Sequence, residues 1–164
     1  MKAILTMTLA ILAGLATRDV FAAAPESQLQ GTWTLVAADR LLPDGRRVDD
    51  YGASPTGRLI IDAHGRYSLQ IFKSERPRFG ADDKALGTAD EFASAVLGSS
   101  THYGTIAVNA QPHTLIFRIE AASFPNWEGR NQERDYTLAD GILTYRVPPR
   151  PDGAIPISVW KKLD

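Results

Sequence analysis

The feature that most constrains this chain is a rhythm. From Gln30 onward, short runs rich in β-branched and aromatic residues alternate with Gly, Pro, Asn and Asp, the pattern of an antiparallel all-β domain. Eight strands are expected: Thr32 to Asp39, Arg58 to Asp62, Arg66 to Lys73, His102 to Asn109, Thr114 to Ala121, Arg130 to Leu138, Ile142 to Val147 and Ile157 to Lys162. Turn chemistry punctuates them. Leu42-Pro43-Asp44-Gly45 combines a preset φ with a residue tolerant of positive φ, and Ala63-His64-Gly65 and Asp140-Gly141 are tight hairpin signals. One segment departs from the rhythm. Thr88-Ala89-Asp90-Glu91 has capping-box spacing, and Phe92, Ala95 and Val96 follow at helical intervals before Gly98, so one short helix is expected there.

Eight strands with short connections suit an eight-stranded antiparallel up-and-down barrel, because closure removes the edges that an open sheet must protect. Such a barrel is just wide enough for one small ligand. A two-sheet sandwich with a filled core has the same period-2 patterning and stays open as the alternative. The positions expected inside are Trp33, Leu59, Ile61, Tyr67, Leu69, Ile71, Phe117, Leu143, Tyr145 and Val159.

Charge and composition narrow the function. Lys plus Arg number 18 against 19 Asp plus Glu, leaving no excess of positive charge for a nucleic-acid backbone, so no nucleic-acid partner is expected. With no Cys and only three scattered His, neither a zinc site nor a thiol nucleophile is expected, and a lipid-anchored N-terminus is excluded. Lys2 precedes the apolar run Ala3 to Ala16, which is of signal-peptide length and too short to span a bilayer comfortably, and small residues follow at Ala22-Ala23-Ala24. The expected organisation is a signal peptide over residues 1–24 and one barrel domain over 25–164. The mature protein is then periplasmic or secreted, with no stable membrane span.

Gly31-Thr32-Trp33 is similar to the Gly-x-Trp motif of lipocalins, in which the Trp closes one end of the barrel. It is followed, in order, by Leu42-Pro43-Asp44-Gly45-Arg46, Tyr51-Gly52-Ala53-Ser54-Pro55-Thr56-Gly57-Arg58-Leu59-Ile60, Asp62-Ala63-His64-Gly65-Arg66-Tyr67-Ser68 and Tyr103-Gly104-Thr105. Phe124-Pro125-Asn126-Trp127-Glu128-Gly129 and Arg134-Asp135-Tyr136-Thr137-Leu138 complete the series. Together they resemble the lipocalin-like domain family of bacterial and fungal proteins, from Leu29 to the C-terminus. The resemblance implies a barrel with a central cavity. It implies no single activity, since some fungal relatives act as cyclases in natural-product pathways.

Residues two apart on a strand share a face, so Gln132, Arg134, Tyr136 and Leu138 form one stripe, and its apolar members turn it inward. That buries the Arg134 guanidinium, whose forked donors match a carboxylate. Two readings stand: Arg134 and Tyr136 hold the polar head of a ligand, or Arg134 pairs with Glu120 or stacks on Trp33. Leu115, Phe117 and Ile119 are expected to face inward and Arg118 and Glu120 outward; the reverse would make Glu120 a buried acid. His102 is placed at the barrel rim, where an imidazole titrates near neutrality. His64 and His113 are placed in solvent, and Trp127 in an aromatic loop that either closes the mouth or packs on the helix.

The candidate ligand-binding residues are therefore Arg134, Tyr136, Tyr67, Phe117, Trp127 and His102, the ligand a small hydrophobic or amphipathic molecule, with no cofactor needed. No Ser, His and acid grouping is recognisable, so no catalytic residue is assigned. A cofactor-free cyclase or isomerase, with Tyr136, Tyr67, His102 or Glu120 supplying a proton, and a structural envelope module with a filled core remain as alternatives.

Overall fold

A computed structural model describes residues 28–109 and 113–163. The expected signal peptide, and residues 110–112 of the expected connection after Asn109, lie outside the described residues. The strands are β1 (Gly31–Leu41), β2 (Arg47–Asp49), β3 (Thr56–Ile61), β4 (Arg66–Phe72), β5 (Ser99–Asn109), β6 (Thr114–Ala122), β7 (Asn131–Ala139), β8 (Ile142–Arg146) and β9 (Ile155–Leu163), with one helix, α1 (Ala89–Leu97), between β4 and β5. All form a single antiparallel sheet in the order β2-β1-β3-β4-β5-β6-β7-β8-β9, and β1 also pairs with β9. Eight strands thus close into a barrel, and the eight expected strands are all present.

The ninth, β2, is a three-residue addition that pairs with Asp39 to Leu41, beyond the part of β1 that pairs with β3. It fills the edge that β3 leaves open. No alternation can develop over three residues, so the pattern did not show it.

The hairpins follow their sequence signals. Asp62 accepts from the backbone N–H groups of His64 and Arg66 at 2.8 and 2.9 Å, and Gly65 turns the chain at φ 73°. Asp140 and Gly141 both have positive φ, 50° and 72°, which two-residue primed turns require. Because the strands alternate in direction, these tight turns gather at one end of the barrel and the longer connections at the other.

The tight end is filled. Trp33 and Leu29 are fully buried there, and the indole Nε1 donates to the Leu29 carbonyl at 2.9 Å. Lys162 lies 5.2 Å from the centre of the Trp33 ring and donates to the Gln28 carbonyl at 3.0 Å. The cation over Trp33 is therefore Lys162 and not Arg134, which corrects one reading above. Leu59, Leu115, Phe117, Leu143 and Trp160 complete the plug.

Two irregularities set which side chains face in. β1 shifts register between Leu35 and Ala37, pushing Val36 outward and turning Ala38 inward. On the facing strand Ile157, Ser158 and Trp160 are buried and Val159 is not, so the expected inward Val159 is corrected. The other nine expected interior positions are buried. β5 and β6 shift register between Tyr103 and Gly104, and Glu120 is the extra residue. Leu115, Phe117 and Ile119 face in and Arg118 and Glu120 face out, so the buried-acid alternative for Glu120 is overturned.

Helix α1 carries no buried residue and is held by its start. The Thr88 hydroxyl accepts from the Glu91 N–H, and the Glu91 carboxylate accepts from the N–H groups of Thr88 at 2.7 Å and Gly80 at 2.6 Å. The bonds from the Thr88 and Gly80 backbones and the Thr88 hydroxyl hold the Glu91 carboxyl below its ordinary value. A depressed folded-state value means that this support is complete above the ordinary carboxylate range and is lost as pH falls through the lowered value. Hydrogen-exchange protection of the first turn of α1 should therefore fall in that acid window. In Glu91→Ala, which has no acceptor there, it should already be low at neutral pH and show no further loss, and an unchanged acid response in that variant would count against the assignment.

Candidate functional site

At the end with the long connections the barrel is not filled. An open cavity of about 420 Å³ runs down from the mouth to Leu69, His102, Arg134 and Tyr145. Its walls are largely apolar, with Ile71, Val147, Ile157 and Trp127 among them. The pairing of β1 with β9 closes one sheet into a barrel, so the two-sheet sandwich alternative is corrected.

The floor is built from alternate positions of neighbouring strands. Arg134 enters from β7 and is 5% exposed. Its guanidinium carbon sits 4.0 Å from the centre of the Phe117 ring and 4.8 Å from that of Tyr145. One Nη2 hydrogen bond goes to Gln132 Oε1 at 2.9 Å, and Nη2 also approaches His102 Nε2 at 3.4 Å, while Nε has no partner among the described residues. Among the described residues no ion pair includes Arg134, so the expected alternative pairing with Glu120 does not form. The Tyr145 hydroxyl, at the same floor, is also buried without a partner among the described residues.

His102 lies in the interior of β5, because that strand begins at Ser99, directly after α1, three residues earlier than its apolar pattern suggests. It is buried and hydrogen-bonded through Nδ1 to the Tyr67 hydroxyl at 2.7 Å. Burial, and then the charge of Arg134, push its pKa down to about 3. The rim imidazole that titrates near neutrality is corrected: at neutral pH this ring is uncharged. Burial likewise raises the Tyr67 phenol, against the opposing pull of Arg134.

At the mouth the two aspartates are paired. Asp50 accepts from Arg150 at 2.7 Å and faces Arg40 at 3.5 Å, and Asp39 pairs with Arg47 at 2.6 Å. Glu133 is exposed at the rim. Tyr51 stands beside them, its phenol raised first by burial and then by Asp50. A permanent cation at the floor, without a carboxylate partner among the described residues and below the paired Asp39 and Asp50, biases the cavity toward an anion at its deep end.

Of the six expected site residues, Arg134, His102 and Trp127 line this cavity. Tyr67 and Phe117 stand behind them, Tyr67 holding His102 and Phe117 underlying Arg134. Trp127 belongs to a 3-10 turn (Pro125–Trp127) at the mouth and meets His102 edge-on at 6.1 Å. Tyr136 is not brought to the cavity. Positions two apart on a strand share a face but lie about 7 Å apart along it, so Tyr136 falls toward the tight end, opposite Tyr145 and 6.1 Å from the ring of His113. His64 and His113 are exposed.

Sequence reasoning missed the Asp50–Arg150 pair, whose members are 100 residues apart. It also missed the part played by Gln132, although that residue sits on the same stripe as Arg134. Among the described residues no cluster of three or more His, Asp and Glu could hold a metal ion, and no helix is long and apolar enough to cross a membrane.

A search of curated proteins gives no match. Among solved structures, the chain is similar to a mutant of the fluorescent protein UnaG, at 12% identity and a TM-score of 0.38, over 83% of this chain and 96% of that one. The family model described as lipocalin-like domain matches residues 30–163. Nearly the whole described barrel is covered by that match, and the chain belongs to the lipocalin-like domain family.

Proposed function

We propose that the protein is an exported binder of a small amphipathic molecule, which enters the open end of the barrel with its polar end inward. The observation that carries this reading is Arg134, buried at the floor of an open cavity without a carboxylate partner among the described residues. A buried, unpaired charge is costly, and a ligand that supplies acceptors to it recovers part of that cost. The apolar walls above Arg134 suit a hydrophobic body, and about 420 Å³ suits a molecule of modest size.

The chemistry of the floor favours binding over the cyclase or isomerase reading. A general acid or base works best with a pKa near the ambient pH. His102 is held far below neutrality and Tyr67 is raised, so neither is poised for proton transfer there.

The test is a titration with 1-anilinonaphthalene-8-sulfonate followed by fluorescence. Saturable one-to-one binding, displaced by an unlabelled amphipath, is expected. An absence of saturable binding, or a signal that no amphipath displaces, would overturn the reading.

A further inference from the structure

Arginine has only donors, so the approach of Arg134 Nη2 to His102 Nε2 at 3.4 Å requires Nε2 to accept. A neutral ring that accepts at Nε2 carries its one proton on Nδ1 and donates it to the Tyr67 oxygen, 2.7 Å away. In that tautomer the imidazole turns its Nε2 lone pair toward the Arg134 guanidinium at the cavity floor. An incoming anion would be repelled by that lone pair while it is attracted by the guanidinium next to it.

The partner behind the ring can work in either direction. A phenol hydroxyl accepts from Nδ1–H or donates to a bare Nδ1, whereas a backbone carbonyl would allow only the first. The ring is also held in place independently of these bonds, with Tyr67, Phe117 and Trp127 edge-on at 5.3, 5.8 and 6.1 Å between ring centres. The site therefore has a fixed imidazole whose proton has two permitted positions.

We propose that His102 supplies a further hydrogen bond to an oxyanion head of the ligand, by exchanging tautomer against the Tyr67 hydroxyl when that head takes the donors of Arg134. The proposal rests on the head-inward binding described above and names its ligand class, an amphipathic acid bound as its carboxylate. The N–H bond at Nδ1 breaks and one forms at Nε2, with the proton carried by water from the open mouth. Tyr67 keeps its own proton and rotates from accepting to donating. No net proton is taken up.

The surroundings favour exchange over protonation. The titratable or charged groups facing His102 are Tyr67 from β4 and Arg134 from β7, with Tyr145 from β8 beyond Arg134. Phe117 and Trp127 contribute only rings, and Glu120 on β6 points outward. Across the cavity Asp39 and Asp50 are already paired with arginines, and Glu133 is exposed at the rim. One guanidinium and one carboxylate already balance, so a second positive charge at this depth would be unpaired.

The test uses dodecanoate and dodecanol, at about pH 8, where the acid is ionised. In the wild-type chain, dodecanoate should bind more tightly than dodecanol by tenfold or more. With dodecanoate bound, the ¹⁵N resonances of His102 should pass from the Nδ1–H to the Nε2–H pattern, and with dodecanol they should not. His102→Phe should lower dodecanoate affinity by about tenfold, the usual weight of one hydrogen bond to a charged group, and change dodecanol affinity by less than about twofold. A complex that keeps the Nδ1–H pattern, or shows an imidazolium, would overturn the exchange. Equal affinity for the two probes would overturn the oxyanion class while leaving the binding function standing. If neither probe binds, the binding function falls as well. The resonance measurement needs no variant, so it stands even if His102→Phe fails to fold.

Discussion

Arg134→Met is expected to yield a protein that melts at a higher temperature than the wild type and has lost about a hundredfold or more in affinity for an anionic amphipath. Removing one partner of a buried charge pair costs roughly 2–5 kcal/mol of binding, and the larger part of the deep end's polarity resides in this guanidinium. The stability change has the opposite sign. Arg134 is a buried cation with one donor unsatisfied and no carboxylate among the described residues, supported by two aromatic faces and by Gln132 and His102. Methionine keeps the contact with Phe117 and Tyr145 through sulfur and removes the desolvated charge. Gln132 is only partly buried and regains water. The net gain should be about 1–2 kcal/mol, toward the low end of what replacing a buried charge by an apolar side chain yields. Thermal denaturation followed by circular dichroism, with a dodecanoate titration beside it, measures both halves. If Arg134→Met instead melts well below the wild type, the guanidinium is part of the scaffold and the head-binding role loses its main support.

Gly104→Ala should unfold the barrel or destabilise it by about 3–5 kcal/mol, at the upper end of single substitutions. A Cβ on Gly104 would be built onto the Arg118 carbonyl oxygen, with the Glu120 nitrogen at 3.0 Å and the Arg118 carbonyl carbon at 3.1 Å. All three are backbone atoms, and they sit where Glu120 is squeezed out of the β5–β6 register, so relief means breaking strand pairing. Gly129→Ala is the control. Its φ is 69°, but nothing lies within 4 Å of an added Cβ, so only the left-handed backbone penalty of about 1–2 kcal/mol applies. Urea denaturation of the two variants should separate them by about 2 kcal/mol or more. A Gly104→Ala protein as stable as Gly129→Ala would show that the register shift is slack.

What could be read from the residues follows how locally each feature is encoded. The hairpins at Gly65 and Gly141 were legible because their turn chemistry lies within a few residues, and so were the cap at Thr88 and the inward stripe carrying Arg134. The irregularities were not legible. Strict alternation puts Val159 inward, and it fails along the strand that faces the shift between Leu35 and Ala37, where pairing and not β-propensity decides the face. His102 was placed at a rim because the polar run Ser99-Ser100-Thr101 has no apolar alternation, although it is strand. The site mixes the two cases. Arg134 can be found from one strand, whereas its relation to His102, Tyr67 and Phe117 exists only once four strands are in register.

The pairing of Thr32 with Leu163 has a kinetic consequence. The first strand waits for the last: until β9 has been synthesised, both β1 and β8 present open edges, and the pairing that seals them spans nearly the whole domain. Contacts of such long sequence separation form late and slowly. During that interval the chain is an unclosed sheet able to pair with its neighbours. A chain that loses β9, through truncation or premature arrest of synthesis, is therefore not a slightly weakened barrel but a sheet with two sticky borders, the form a cell must hold apart or degrade.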